Sequence, residues 1–302
     1  MLDTFSRNRS IRYRVHVILG LVAVLALGTM ALVSYRLGVS TLERQAIDQL
    51  TSIRELKGRQ VELYFEMIRD QVVSLSENRM VVDALREFSA ATEELGGVPP
   101  LGADAALALS LYYQDEFLPR RSANVDDAGP ATAYLPQDQS ARYLQHLFIS
   151  GNPFEVGSKQ LLDESDSGTG YDAVHRLYHP IFRSFLERFG FYDLFLVSAT
   201  DDRIVYTVFK EVDFGTSLAA GPHRDSNLAE AYRAGRRAEF DSFSHLIDFA
   251  PYAPSYGAPA SFIASPVMVG DEVLGVLVFQ LPLDRINETM TNGGGWRSVG
   301  MG

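Results

Sequence analysis

The sequence predicts an α+β fold: a long N-terminal helix that crosses a membrane and continues as a stalk, then helices and a five-stranded antiparallel sheet. Three observations lead to it. Residues 15–33 (VHVILGLVAVLALGTMALV) carry no charge and are long enough to cross a bilayer as a helix. Residues 36–95 contain no proline, and apolar residues recur there at helical spacing. Beyond residue 190, short aromatic and β-branched runs alternate with turn signals.

The first element is the span, residues 15–35. Arg7, Arg9, Arg12 and Arg14 precede it, and basic flanks stay on the cytoplasmic side. Residues 1–14 are therefore expected in the cytoplasm and nearly everything after Tyr35 outside it. A cleaved signal peptide also has a basic start and an apolar middle, but this run exceeds the usual signal core of about 7–15 residues, and no A-x-A site follows. Tyr35 and Arg36 instead sit where amphipathic side chains anchor a span.

Residues 36–97 form the second element, a stalk helix. Leu42, Ala46, Leu50 and Ile53 are followed by Val61, Phe65, Ile68, Val72 and Leu75, the latter at 4, 3, 4, 3 spacing. That seam predicts a homodimer through Phe65, Ile68, Val72 and Leu75. Gly58 is the expected bend. Two shorter helices on a local core are the alternative. Gly96, Gly97, Pro99 and Pro100 end the stalk.

A module over 98–290 follows. Helices are predicted at 103–118, stopped by Pro119, at 140–150, and at 171–189 with a kink or restart at Pro180. Loops fill 120–137 and 152–170. Strands are predicted at 191–198, 203–209, 239–249, 261–269 and 272–281. A short helix at 225–235, capped by Asp225 or Ser226, separates the second and third. A helix at 283–290 and a linker at 291–302 close the chain.

Composition narrows the chemistry. The chain has 302 residues, 46% hydrophobic and 22% charged, which excludes wholesale disorder. Its net charge of −11 is split between a basic N-terminus and an acidic remainder. An acidic exterior argues against nucleic acid. There is no cysteine, so disulfides, thiolate catalysis and cysteine-based metal sites are excluded.

The stretches GFYDLFLVSATDDRIVYTVFKEVDFGTSL (190–218), GPHRDSNLAEAYRAG (221–235) and SFIASPVMVGDEVLGVLVFQLPLDRINETM (261–290) together resemble a Cache-type sensor. This is the PAS-like sheet found outside the membrane in bacterial chemoreceptors, sensor kinases and membrane cyclases. The resemblance runs from about Arg36 to the end. It implies a small-molecule ligand between the sheet face and neighbouring loops. It also implies a second module, a second span and a cytoplasmic output domain beyond residue 302, so the chain is expected to be a fragment or a truncated receptor. The family's amino-acid signature, an Arg followed closely by Trp and Tyr, is missing; the one Trp is Trp296.

Candidate ligand-binding residues are Tyr206, Lys210 and Asp213 leaving the second strand, Arg224, Asp225 and Asn227 entering the short helix, and Tyr252 and Tyr256 before the fourth strand. Arg matches a carboxylate, Asp an ammonium, and Tyr stacks and hydrogen-bonds. Each of these types also serves plain loop packing. Arg224 and Asp225 are the foremost charged candidates. His175 and His179 are four apart on a helix, but no HExxH surrounds them, so no metal is expected. The 163–168 run DESDSG lacks the late Glu of a calcium loop, and the 293–295 glycines follow a helix rather than a strand-to-helix turn. No catalytic motif is present, so neither an enzyme nor a cofactor is expected of this chain. The sequence therefore reads as the extracytoplasmic part of an inner-membrane receptor, with a membrane-anchored interaction or dimerisation protein as the alternative.

Overall fold

The computed structural model describes residues 11–291. Arg7 and Arg9, the linker beyond 291, the 293–295 glycines and Trp296 lie outside the described residues. The fold is α+β. Its first helix is α1 (Ile11–Ser76), followed by α2 (Arg79–Gly96) and α3 (Ala103–Leu111). Then come α4 (Leu118–Ser122), α5 (Gln139–Gln145), α6 (Gly170–Phe189), β1 (Asp193–Ser198), β2 (Ile204–Thr207), α7 (Asn227–Arg236), β3 (His245–Pro251), β4 (Pro259–Val269), β5 (Glu272–Leu281) and α8 (Leu283–Thr291).

The chain divides into two compact units at Gln60 and Val61. The first holds the N-terminal part of α1, whose apolar run has a mean hydropathy of 2.5 and is long enough to cross a membrane. The side chains of that apolar run are exposed.

The second unit holds the sheet. Its strand order is β2-β1-β5-β4-β3, every pair antiparallel. Strands β1 and β5 are buried along nearly their whole length, which is why they read as continuous apolar runs. Neighbouring residues of β5 point to opposite faces and show what covers each. Gly275 lies against Leu85 of α2, and Val276 lies against Gly235 of α7. Helix α2 thus covers one face and α7 the other. Phe88 of α2 is fully buried, its ring 4.7 Å from Tyr206 and 5.3 Å from Tyr171.

Four sequence expectations are corrected. The stalk is two helices, not one. It breaks at Glu77 and Asn78, where the Asn78 side chain accepts from the Met80 N–H at 2.9 Å and caps α2, while Gly58 lies inside α1. The seam Ile68, Val72 and Leu75 is buried in the module's own core, so it is not a free face for a second chain. Pro119 does not stop the helix. It lies at the start of α4, directly after the helical turn Tyr112–Phe117, and α6 runs on through Pro180 in its interior. The third strand begins at His245 rather than 239, because the segment before it turns, Phe243 N–H donating to Phe240 O at 3.3 Å.

Candidate ligand site

The loop leaving β2 turns inward instead of outward. Asp193, at the start of β1, holds it: its carboxylate accepts from Val208 N at 3.0 Å, Phe209 N at 3.2 Å and the Thr207 hydroxyl at 2.5 Å. Burial pushes Asp193 up to about 6 against those hydrogen bonds. Lys210 then takes a left-handed backbone, φ 58°, which costs a residue with a Cβ on the order of 1–2 kcal/mol. The turn folds its side chain back. The ammonium donates to Thr207 O and lies 4.4 Å from the Tyr206 ring centroid and 5.2 Å from that of Phe214. Burial pushes Lys210 well below its ordinary value, opposed by Asp193.

The next two acids face a tyrosine wall. Tyr112 and Tyr113 lie in a π-helical turn, Tyr112–Phe117, that continues α3. A wide turn of this kind re-aims side chains and is common at functional sites. The Tyr113 hydroxyl donates to Gln145 Oε1 at 2.7 Å, and Gln145 Nε2 donates to Val212 O at 2.8 Å and Phe214 O at 2.9 Å. Lys159, almost fully buried, donates to Lys210 O at 2.6 Å and Tyr112 at 3.3 Å, and pairs with Glu211 Oε2 at 3.6 Å. Glu211 Oε2 has no hydrogen bond.

Asp213 is completely buried. Its Oδ2 accepts from the Tyr252 hydroxyl, and its Oδ1 has no partner. Burial, then the nearby charges of Asp193 and Glu211, push Asp213 up to about 7, against the Tyr252 hydrogen bond. Tyr252 belongs to the loop joining β3 to β4. That loop is closed by Gly257 N–H donating to Tyr252 O at 2.8 Å, with positive φ at Tyr256 and Gly257. The Tyr256 ring packs 5.9 Å from Phe117. Burial, then the Glu211 charge, raises the Tyr256 and Tyr112 phenols, and burial, then the Asp213 charge, raises that of Tyr252.

The structure therefore brings Lys210, Asp213, Tyr252 and Tyr256 to one end of the sheet, with Tyr206 beneath Lys210. It adds Lys159, Glu211, Tyr112 and Asp193, none of which sequence reasoning named. Lys159, 51 residues upstream of Lys210, gave no signal.

Arg224, Asp225 and Asn227 are elsewhere. Arg224 and Asp225 are exposed and pair with each other at 3.4 Å. Ser226, not Asp225, caps α7, its hydroxyl accepting from Ala229 N at 3.2 Å. Asn227 Nδ2 donates to Ala260 O at 2.6 Å and ties the start of α7 to β4. Arg224 lines a cleft of about 400 Å³ with Arg203, Asp138 and Gln137, and Arg203 there is held by Asp138 at 2.6 Å and Asp201 at 2.8 Å.

His175 and His179 stack at 4.3 Å between centroids and are buried. His179 Nε2 donates to Gln160 O at 2.7 Å, and its Nδ1 accepts from the Tyr206 hydroxyl at 2.7 Å. The Asp172 carboxylate, in the first turn of α6, accepts from Ser165 N, Ser165 Oγ and Ser167 N of the preceding loop. Among the described residues no group of three His, Asp or Glu side chains is arranged for a metal.

No protein-family model matches the sequence, and no curated protein matches it. Among solved structures, the sensor domain of the V. cholerae histidine kinase DctB is similar at 17% identity, with a TM-score of 0.31. The alignment covers 61% of this chain and 60% of that one. A likeness this slight carries no argument about function.

Proposed function

We propose that the second unit is an extracytoplasmic ligand-sensing module, anchored through the apolar run of α1 in an inner membrane, and that it reports small-molecule binding to an output across that membrane. One observation carries the reading. Three buried carboxylates, Asp193, Glu211 and Asp213, and two buried lysines, Lys159 and Lys210, gather behind loop tyrosines at one end of the sheet. A fold stabilised by burial alone gains nothing from five such groups, because each costs desolvation energy. Binding sites are where such groups concentrate. A ligand that favours one arrangement of the 252–258 loop shifts the population of the whole module toward it. The contact of α1 with the sheet, Ser76 Oγ to Ser265 Oγ at 2.8 Å, is a direct link between helix and sheet.

The full chain in lipid nanodiscs, screened against small metabolites by thermal unfolding, tests the binding. A ligand at 100 times its Kd stabilises by about 2.7 kcal/mol, which shows as a raised midpoint. A library that moves nothing overturns the reading. The orientation has its own test: protease outside intact cells is expected to digest residues beyond 36 and spare the first 14. Protection of the whole chain reverses the topology.

A further inference from the structure

We infer that a cleft between α2 and the turn joining β1 to β2, at the far end of the sheet from Lys210 and Asp213, binds an uncharged polyhydroxylated molecule. The inference goes beyond the sensing reading and stands without it. Asp193 begins β1 beside the buried cluster and Ser198 ends it at the cleft, roughly 17 Å away at strand spacing. The cleft measures about 420 Å³, within the range of small-molecule sites. Its polar lining comes from three places: Thr92 and Glu93 of α2, Ser140 of α5, and Thr200, Asp201 and Arg203 of the turn. Positions 89, 92, 93 and 96 form one stripe of α2 at helical spacing. A Cβ at Gly96 would lie 3.3 Å from Ser140 Oγ, so the α5 hydroxyl stands close to the last turn of α2.

Thr92 carries the inference. The residue is 2% exposed and its hydroxyl has no hydrogen-bond partner. Ser89, three residues earlier, donates to Leu85 O at 2.7 Å, the usual recourse of a hydroxyl inside a helix. Thr92 forgoes it. A buried hydroxyl without a partner is costly, so one beside a cleft calls for a ligand atom. A helical threonine has two χ1 rotamers open to it, so the hydroxyl turns to a ligand without moving α2. The charges set the class. Arg203 is already held by Asp138 at 2.6 Å and by Asp201 at 2.8 Å. An anion would meet Glu93 and Asp201 and find no free cation. A cation would share the wall with the Arg203 guanidinium. Among the described residues no group of three is arranged for a metal. Hydroxyl groups suit the whole lining: they donate to Glu93, and they donate to or accept from Thr92, Ser140 and Thr200. No aromatic ring occurs among the described residues of the lining, so a sugar ring has no flat platform and an open-chain polyol fits best.

The test uses the full chain in nanodiscs and three probes of one carbon skeleton: sorbitol, gluconate and glucamine, which are neutral, anionic and cationic. Saturation-transfer NMR reads the binding, because polyols also raise unfolding midpoints by exclusion from protein surfaces. Sorbitol is expected to bind, gluconate not to bind, and glucamine to bind no more tightly than sorbitol. Thr92→Val keeps the shape of the side chain and removes the hydroxyl. It is expected to weaken sorbitol roughly 3–10-fold, the effect of losing one hydrogen bond, while the unliganded midpoint stays level or rises. Ser140→Ala is expected to weaken sorbitol to a similar degree. Sorbitol that fails to bind, or that binds both variants as it binds the parent, overturns the inference. Tighter binding of glucamine or gluconate than of sorbitol overturns the uncharged class. A Thr92→Val midpoint below that of the parent shows that the hydroxyl serves the fold, and it removes the observation on which the inference stands.

Discussion

Two residues set opposite pH slopes. His179 is buried and lowered to about 2 by desolvation and then by Lys210. Its folded value lies below the ordinary 6.5, so its contribution is whole above pH 6.5 and is lost as pH falls. Asp213, raised to about 7 from 3.8, behaves in reverse. Its neutral form favours the fold, so its contribution is whole below about pH 4 and is lost as pH rises through 7. Asp213→Asn is therefore expected to be level with or below the parent near pH 4, and to gain on it steadily to pH 8. Urea midpoints across that range check this; a constant difference rejects the assignment. Tyr206→Phe removes the donor to His179 Nδ1 and is expected to cost about 1–3 kcal/mol. The common placement of Lys210, Asp213 and Tyr252 at one end of the sheet was legible because all three sit beside strand ends. Arg224 and Asp225 fit the same chemistry, yet Ser226 takes the cap and they turn outward. Which of three adjacent polar residues faces inward is a matter of dihedral angles that composition does not encode.

At the element scale, what the sequence displayed well was periodicity. The turn pairing β4 with β5 and the strongly apolar β1 were readable because both faces of those strands are buried. Caps were read less well. Asn78 is a strong N-cap, but the uninterrupted apolar spacing around it masked the break. The π-helical turns at Tyr112–Phe117 and His146–Ser150 were invisible, since one inserted residue barely disturbs a helical pattern. Asn78→Ala is expected to cost about 1 kcal/mol. Two glycines separate close packing from propensity. A Cβ at Gly275 would lie 2.3 Å from Val197 O and 2.7 Å from Leu85 Cδ2, both in the core, so Gly275→Ala is expected to destabilise by about 2 kcal/mol or more. Gly58 meets nothing within 4 Å, and Gly58→Ala is expected to be neutral or stabilising by about 0.5–1 kcal/mol. Calorimetry on the two variants checks both, and a Gly275→Ala chain as stable as the parent would show that α2 packs less tightly on β5 than described.

At the scale of the whole molecule, α1 presents two stripes with different fates. Ile68, Val72 and Leu75 are spent on the module's own core, which answers the heptad spacing without a second chain. A 3–4 repeat reports only that one face of a helix is covered, not by what. On the other side of the same helix, Leu63 and Met67 are 48% and 47% exposed. In the same unit Met67 borders a groove with Leu75, Phe185 and Phe189. A homodimer of this chain is expected to make its contact through Leu63 and Met67 rather than through the seam the sequence suggested. Single cysteines in this cysteine-free chain separate the two. Cys at 63 or 67 is expected to crosslink between copies in membranes under mild oxidation. Cys at 68 or 72 is expected to stay reduced and to lower the unfolding midpoint, because each replaces a buried apolar side chain with a smaller one. Crosslinking at 68 and 72 but not at 63 and 67 would mean that α1 leaves its own core to pair with a second copy, and the fold described for the second unit would then be only one of two that the chain adopts.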